Sequence, residues 1–124
     1  MKETASRWVC VDDIDGLFGS ISFAYEPGEA RCLTVVMHGH RELHLRFSGV
    51  IALRFENDCP GFDPLPHPLP MIQPGVVFPL LKISQSSWLN QWSPLHATCV
   101  HFALLSLDDL VQIIAEPNVD VRWG

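Results

Sequence analysis

Along much of this chain apolar residues fall at every second position, the period of a strand with one covered face. Ser20 to Tyr25 is the cleanest short case. Ile21, Phe23 and Tyr25 share one parity, while Ser20, Ser22 and Ala24 share the other. Leu33, Val35 and Met37 repeat the period in the next segment. The longest alternation places Leu43, Leu45, Phe47, Ile51, Leu53 and Phe55 on one parity, with a gap at Gly49. It predicts one long strand bent at Gly49, where a missing side chain admits a kink, so that one strand serves two halves of a curled sheet. Arg7 to Val11 reads as a first strand, and Val119, Val121 and Trp123 mark a last one.

Between these runs the signals change. Glu26-Pro27-Gly28-Glu29 has the chemistry of a type II turn. Val76 to Ile83 is apolar enough for a strand, but Pro79 assigns it to a sheet edge or a bulge. The best short helix lies near 85–92, with serines for the cap, Trp88 and Trp92 one turn apart, and Ser93-Pro94 as the stop. His96 to Leu105 is apolar on both parities, which predicts a strand covered on both faces. His101 within it reads as a core histidine with its hydrogen bonds met. Ser106 to Ala115 fits either a helix capped by Ser106 or a hairpin turning at Asp108-Asp109.

The stretch 59–75 is a Pro-rich loop holding six of the ten prolines. It excludes helix and central strand, because proline lacks the donor and restricts its neighbour. We read it as a stiff covering loop whose leucines plug the core; a partner-binding ridge is the other reading. The expected fold is mainly β (α+β): a curled antiparallel sheet, or a small barrel or sandwich, of about 7–8 strands with one short helix.

Composition narrows the function classes. A chain of 124 residues argues for a single domain, 1–124. The net charge of -6 disfavours nucleic acid, which requires a basic surface, and suits a basic protein partner. The N-terminal residues lack a signal-peptide core, and no apolar run approaches the ~18 residues of a spanning helix. The expectation is a cytoplasmic protein without membrane contact. Cys10, Cys32, Cys59 and Cys99 form no Cys-x-x-Cys pair, so they read as free thiols rather than zinc ligands. Asp12-Asp13-Ile14-Asp15-Gly16 reads as an acidic turn. As a calcium loop it would need a glutamate where Ser22 stands.

Candidate chemistry concentrates at His38-Gly39-His40-Arg41-Glu42-Leu43-His44, which holds three of the six histidines. In an extended chain His38, His40, Glu42 and His44 share a face and could hold one divalent transition metal. In a hairpin the apolar faces set the register: Met37 opposite Leu43, Val35 opposite Leu45, Leu33 opposite Phe47. His38 then faces Glu42, with His44 on the diagonal. We favour the hairpin. His38-Gly39-His40 with Glu42 resembles the first metal motif of cupins, although the glutamate follows too closely. The chain has no glycine-rich phosphate loop, no Gly-x-Ser-x-Gly elbow and no dinucleotide fingerprint.

Several segments together have a further likeness. They are Leu45-Arg46-Phe47-Ser48-Gly49-Val50, Trp88-Leu89-Asn90-Gln91-Trp92, His101-Phe102-Ala103-Leu104-Leu105, Asp108 to Ala115, and Val121-Arg122-Trp123. This half of the chain resembles small bacterial proteins of immunity-protein type. The resemblance implies a hairpin at 106–115. It also implies a non-enzymatic, bacterial protein-binding domain that neutralises a toxin, with a basic toxin as partner and no cofactor. The alternative expectation is a metal-binding protein or metal-dependent enzyme using His38, Glu42 and His44, with His40 optional.

Overall fold

The alternating segments become strands; Leu33, Val35, Met37, Leu43, Leu45 and Phe47 are buried on one parity, while Tyr25, Leu53 and Phe55 stay exposed. The computed structural model describes residues 2–57, 65–92 and 98–124. In chain order the elements are β1 (Thr4–Arg7), β2 (Ser20–Glu26), β3 (Cys32–His38), β4 (Leu43–Phe47), β5 (Ala52–Asn57), β6 (Met71–Gln73), β7 (Val76–Val77), β8 (Leu80–Ser84), α1 (Ser87–Asn90), β9 (Val100–Leu105), β10 (Asp109–Ala115) and β11 (Asp120–Trp123). They form a five-stranded sheet ordered β1-β8-β9-β10-β5, a four-stranded sheet ordered β11-β4-β3-β2, and a small β6-β7 ribbon. All three are antiparallel, and no closed barrel forms among the described residues.

The two large sheets share one core. Leu33, Val35, Met37, Leu43, Leu45 and Phe47 from the four-stranded sheet meet Leu80, Phe102, Leu104, Val111 and Ile113 from the other. Fully burying each such side chain stabilises the fold by roughly 1.5–3 kcal/mol. Trp8 closes the layer, its ring 4.6 Å from Phe102 and 5.9 Å from Phe47. At one end the β9–β10 turn ties the sheets together. Leu107 N–H donates to the Phe18 carbonyl at 2.9 Å, and the buried Asp109 carboxylate accepts from Ile21 N–H at 3.0 Å. The segment Asp109–Ala115 is therefore strand, not helix, as the hairpin reading had it.

The five-stranded sheet is covered on both faces, as the double-parity apolar run of β9 required. Leu81, Ile83, Ala103, Leu105 and Leu110 pack under Leu65 and Leu69 of the Pro-rich stretch. Trp88 of α1 packs with Cys99 and Ile114 on the same side. Leu65 and Leu69 of the Pro-rich stretch thus act as plugs, while its residues 59–64 lie outside the described residues. Its far end is not loop. β6 and β7 pair there around Pro74-Gly75, where Gly75 takes the positive φ of +83° that a tight turn demands.

Several boundaries differ from the sequence reading, each for a physical reason. The run from Leu43 to Phe55 is two strands in different sheets. At Gly49 the chain takes φ +60° and crosses between the layers; a Cβ there would stand 2.5 Å from the Glu116 side chain. The first strand is Thr4–Arg7 rather than Arg7–Val11, because Trp8 turns into the core. Pro79 does not place its strand on an edge. β8 lies between β1 and β9, and Pro79 precedes it, offering only a carbonyl to Leu105 N–H. The turn after β2 spans residues 27–31, since Glu26 pairs with Cys32. The helix is one short turn, capped by Ser86, whose Oγ accepts from Leu89 N–H. Trp88 is buried and Trp92 exposed, so the two do not stack; Ser93 and Pro94 lie outside the described residues. No helix among the described residues is long and apolar enough to cross a membrane.

Candidate functional site

Apolar parity decides where the histidines go. β3 and β4 pair with Met37 opposite Leu43, Val35 opposite Leu45 and Leu33 opposite Phe47, the register that buries these six residues. The other parity turns outward. On that open face His38 Nδ1 lies 3.1 Å from Glu42 Oε2, and His44 Nε2 lies 3.5 Å from Glu42 Oε1. Glu42 thus stands between two imidazoles on adjacent strands. His40 does not join them; it lies exposed at the hairpin tip, lining a cleft with Asp13, Asp15, Arg41 and Trp123.

The structure adds a residue that the sequence reading did not include. Ser22 Oγ of β2 lies 2.8 Å from His38 Nε2. With Glu42 ionised and His38 neutral, His38 donates from Nδ1 and its Nε2 accepts the Ser22 hydroxyl proton. The result is a continuous chain, Ser22–His38–Glu42, with His44 on the second carboxylate oxygen. Ser22 pairs with Val36 and Ser20 with His38, so Ser22 is a diagonal neighbour of His38. Extending the apolar-face argument one strand back would have found it.

The metal expectation fares differently. His38 and His44 each face a separate oxygen of Glu42 rather than a common vacant point. Among the described residues, no three or more His, Cys, Asp or Glu gather as metal ligands. Cys10, Cys32 and Cys99 are free and scattered, and Cys59 lies outside the described residues. Burial pushes the Cys10 thiol up to about 11, which leaves it a poor nucleophile. The acidic turn at 12–15 is one wall of the cleft beside His40; Trp123 Nε1 donates to the Asp12 carbonyl at 3.1 Å, and Arg41 stacks on Trp123 at 4.2 Å.

A second histidine chain lies inside. His101 is buried, its Nδ1 2.7 Å from Ser86 Oγ and its Nε2 2.8 Å from Gln112 Oε1. Burial holds the imidazole below its ordinary pKa, against the opposing pull of Gln112. The neutral tautomer meets every partner: Nε2–H donates to Gln112, and Nδ1 accepts from Ser86.

One further surface stands out. β5 and β2 are the outer strands of their sheets on the same side of the sandwich, joined by an edge-to-face contact between Phe23 and Phe55 at 5.3 Å. Tyr25, Leu53 and Phe55 are 45%, 36% and 42% exposed there. Tyr25 and Leu53 flank a shallow groove of about 290 Å³ with Val50, Ile51 and Ala52. The chain matches no family model, and neither curated proteins nor solved structures include one similar to it.

Proposed function

We propose that this chain is a protein-binding domain that docks its partner along the adjoining edges of β2 and β5. The observation that carries the reading is the apolar strip of Tyr25, Leu53 and Phe55 on two outer strands. An outer strand leaves backbone donors and acceptors on one side without a ladder partner, so an extended segment can add to it. Exposed aromatic and leucine side chains supply the apolar contact that anchors such a segment. The net charge of -6 favours a basic partner. A toxin neutralised by this chain is the narrower form of the proposal, and a cytoplasmic bacterial setting belongs to that form.

The test is capture of a basic partner by the wild-type chain and by Phe55→Glu. A charge in the middle of the strip opposes apolar docking without opening the core. Binding should fall by at least about tenfold in the variant, since a truncated interface anchor costs on the order of 1–2 kcal/mol. Capture that is equal for both proteins would overturn the assignment of the edge. A partner that is acidic would overturn its charge argument.

A further inference from the structure

We propose that Ser22 is an acyl-accepting nucleophile, with His38 as its general base and Glu42 as the carboxylate that orients the imidazole, acting on small activated esters. This goes beyond the binding reading and does not rest on it: the open face of the four-stranded sheet, not its edge, carries the site.

Three observations support it. First, the nitrogens are the right ones. Nε2 of His38 meets Ser22 Oγ at 2.8 Å and Nδ1 meets Glu42 at 3.1 Å, the order in which a base takes a hydroxyl proton while a carboxylate steadies its far side. Second, two of the members stand on a fixed ladder. Ser22 and His38 occupy paired strands, and Glu42 is held from its other oxygen by His44 at 3.5 Å. Third, there is room beside the hydroxyl. A dip of about 160 Å³ adjoins Ser22, lined by Phe23, Ala24, Thr34 and Val36. The short side chains of Ala24, Thr34 and Val36 leave space for an acyl chain of a few carbons.

In the step, Ser22 Oγ attacks the ester carbonyl carbon and its proton passes to His38 Nε2. The tetrahedral centre collapses and the carbon–oxygen bond to the leaving group breaks. The departing aryloxide takes the electron pair, and His38 returns the proton to it. Water, deprotonated by the same imidazole, then releases the acid and restores Ser22. Aryl esters suit the site because a phenolate departs readily. Amides, whose intermediates call for strong oxyanion donors, fall outside the class.

The probe is p-nitrophenyl acetate on the full chain, with nitrophenol release followed by absorbance and the acetyl group located by peptide mass spectrometry. Acetyl on Ser22 is the expected result. Ser22→Ala should return release to the rate of free imidazole at the same histidine content. His38→Gln should slow it by at least about tenfold, the low end of general-base assistance, because the site is open to water. Glu42→Gln should slow it less, and His44→Gln least. Circular dichroism of each variant checks the fold, and labelling of wild type by a fluorophosphonate gives an independent reading of Ser22. Acetyl found on His38, on lysine or nowhere overturns the proposal. So does a release rate unchanged in Ser22→Ala.

Discussion

Among the described residues, two serine–histidine arrangements differ in one partner and one environment. Inside, Ser86–His101–Gln112 ends on a neutral amide, with the imidazole beneath Trp88 at 5.1 Å. Outside, Ser22–His38–Glu42 ends on a carboxylate, with the His38 and Glu42 side chains 40% and 51% exposed. The inner chain cannot serve as a base. Ser86 Oγ already caps α1, and nothing reaches it from solvent. Its groups exist to satisfy one another, since a buried polar group without a partner costs about 1–3 kcal/mol. The outer chain has no such obligation, because water can satisfy each of its groups. Spacing alone therefore does not separate structure from chemistry; burial and the charge of the third member do.

Breaking the inner chain should give the largest effect. His101→Ala removes a filled volume next to Trp88 and leaves Ser86 and Gln112 without their buried partner. The expected loss is about 2–4 kcal/mol, which lowers the melting temperature by roughly 10 °C in a domain of this size. Thermal unfolding followed by circular dichroism measures it. A loss as small as that of a surface substitution would mean the pocket refills, and the contrast between the two chains would lose its basis.

The next effect depends on pH. Burial lowers the pKa of His101 in the folded state. The unfolded chain binds a proton as the pH falls below about 6.5, the ordinary imidazole value, while the folded chain resists until its lower pKa is reached. The stability that His101 contributes is thus fully present above that pH and is lost as the pH drops toward the folded pKa. Urea unfolding at pH 7.5 and pH 5 should show lower stability at pH 5. In His101→Gln that part of the pH dependence should vanish. Equal slopes in the two proteins would show that the buried imidazole is not the group responsible.

The two chains also differ in how far sequence reveals them. The outer cluster follows from local spacing plus one rule, that apolar faces choose the register; it places His38 against Glu42 before any coordinates exist. Ser22 escaped that reasoning because turn chemistry at Glu26-Pro27-Gly28-Glu29 suggests a tight connection. A two-residue turn there would set Ile21 opposite Thr34. The longer connection sets Ile21 opposite Met37 and Phe23 opposite Val35, which buries Ile21, Met37 and Val35 and half-buries Phe23. Side-chain burial outweighed local turn preference. The inner chain is less legible. That His101 would be buried follows from its apolar neighbours, but Ser86 and Gln112 reach it only through the order β8-β9-β10 and the position of α1. Pairing within a layer was readable from parity. Which layer a strand joins was not, as the crossing at Gly49 and the interior place of β8 show.

The smallest effect is expected from Glu42→Gln, and its smallness is the point. Glu42 lies 3.1 Å from His38 and 3.5 Å from His44 on an open face, where water replaces a lost contact at little cost. Gln keeps the length and one acceptor, so His38 retains a hydrogen-bonding partner at Nδ1. Stability should move by no more than about 0.5 kcal/mol, the range of surface substitutions away from special features. Chemical denaturation beside the wild-type chain resolves a shift of that size. If the outer chain were structural in the sense that the inner one is, Glu42→Gln would destabilise the fold by several times that amount. A near-zero shift combined with a slower reaction at Ser22 would separate the two arrangements by what each one does. A large shift would make the outer cluster a second structural network on the surface of the sheet.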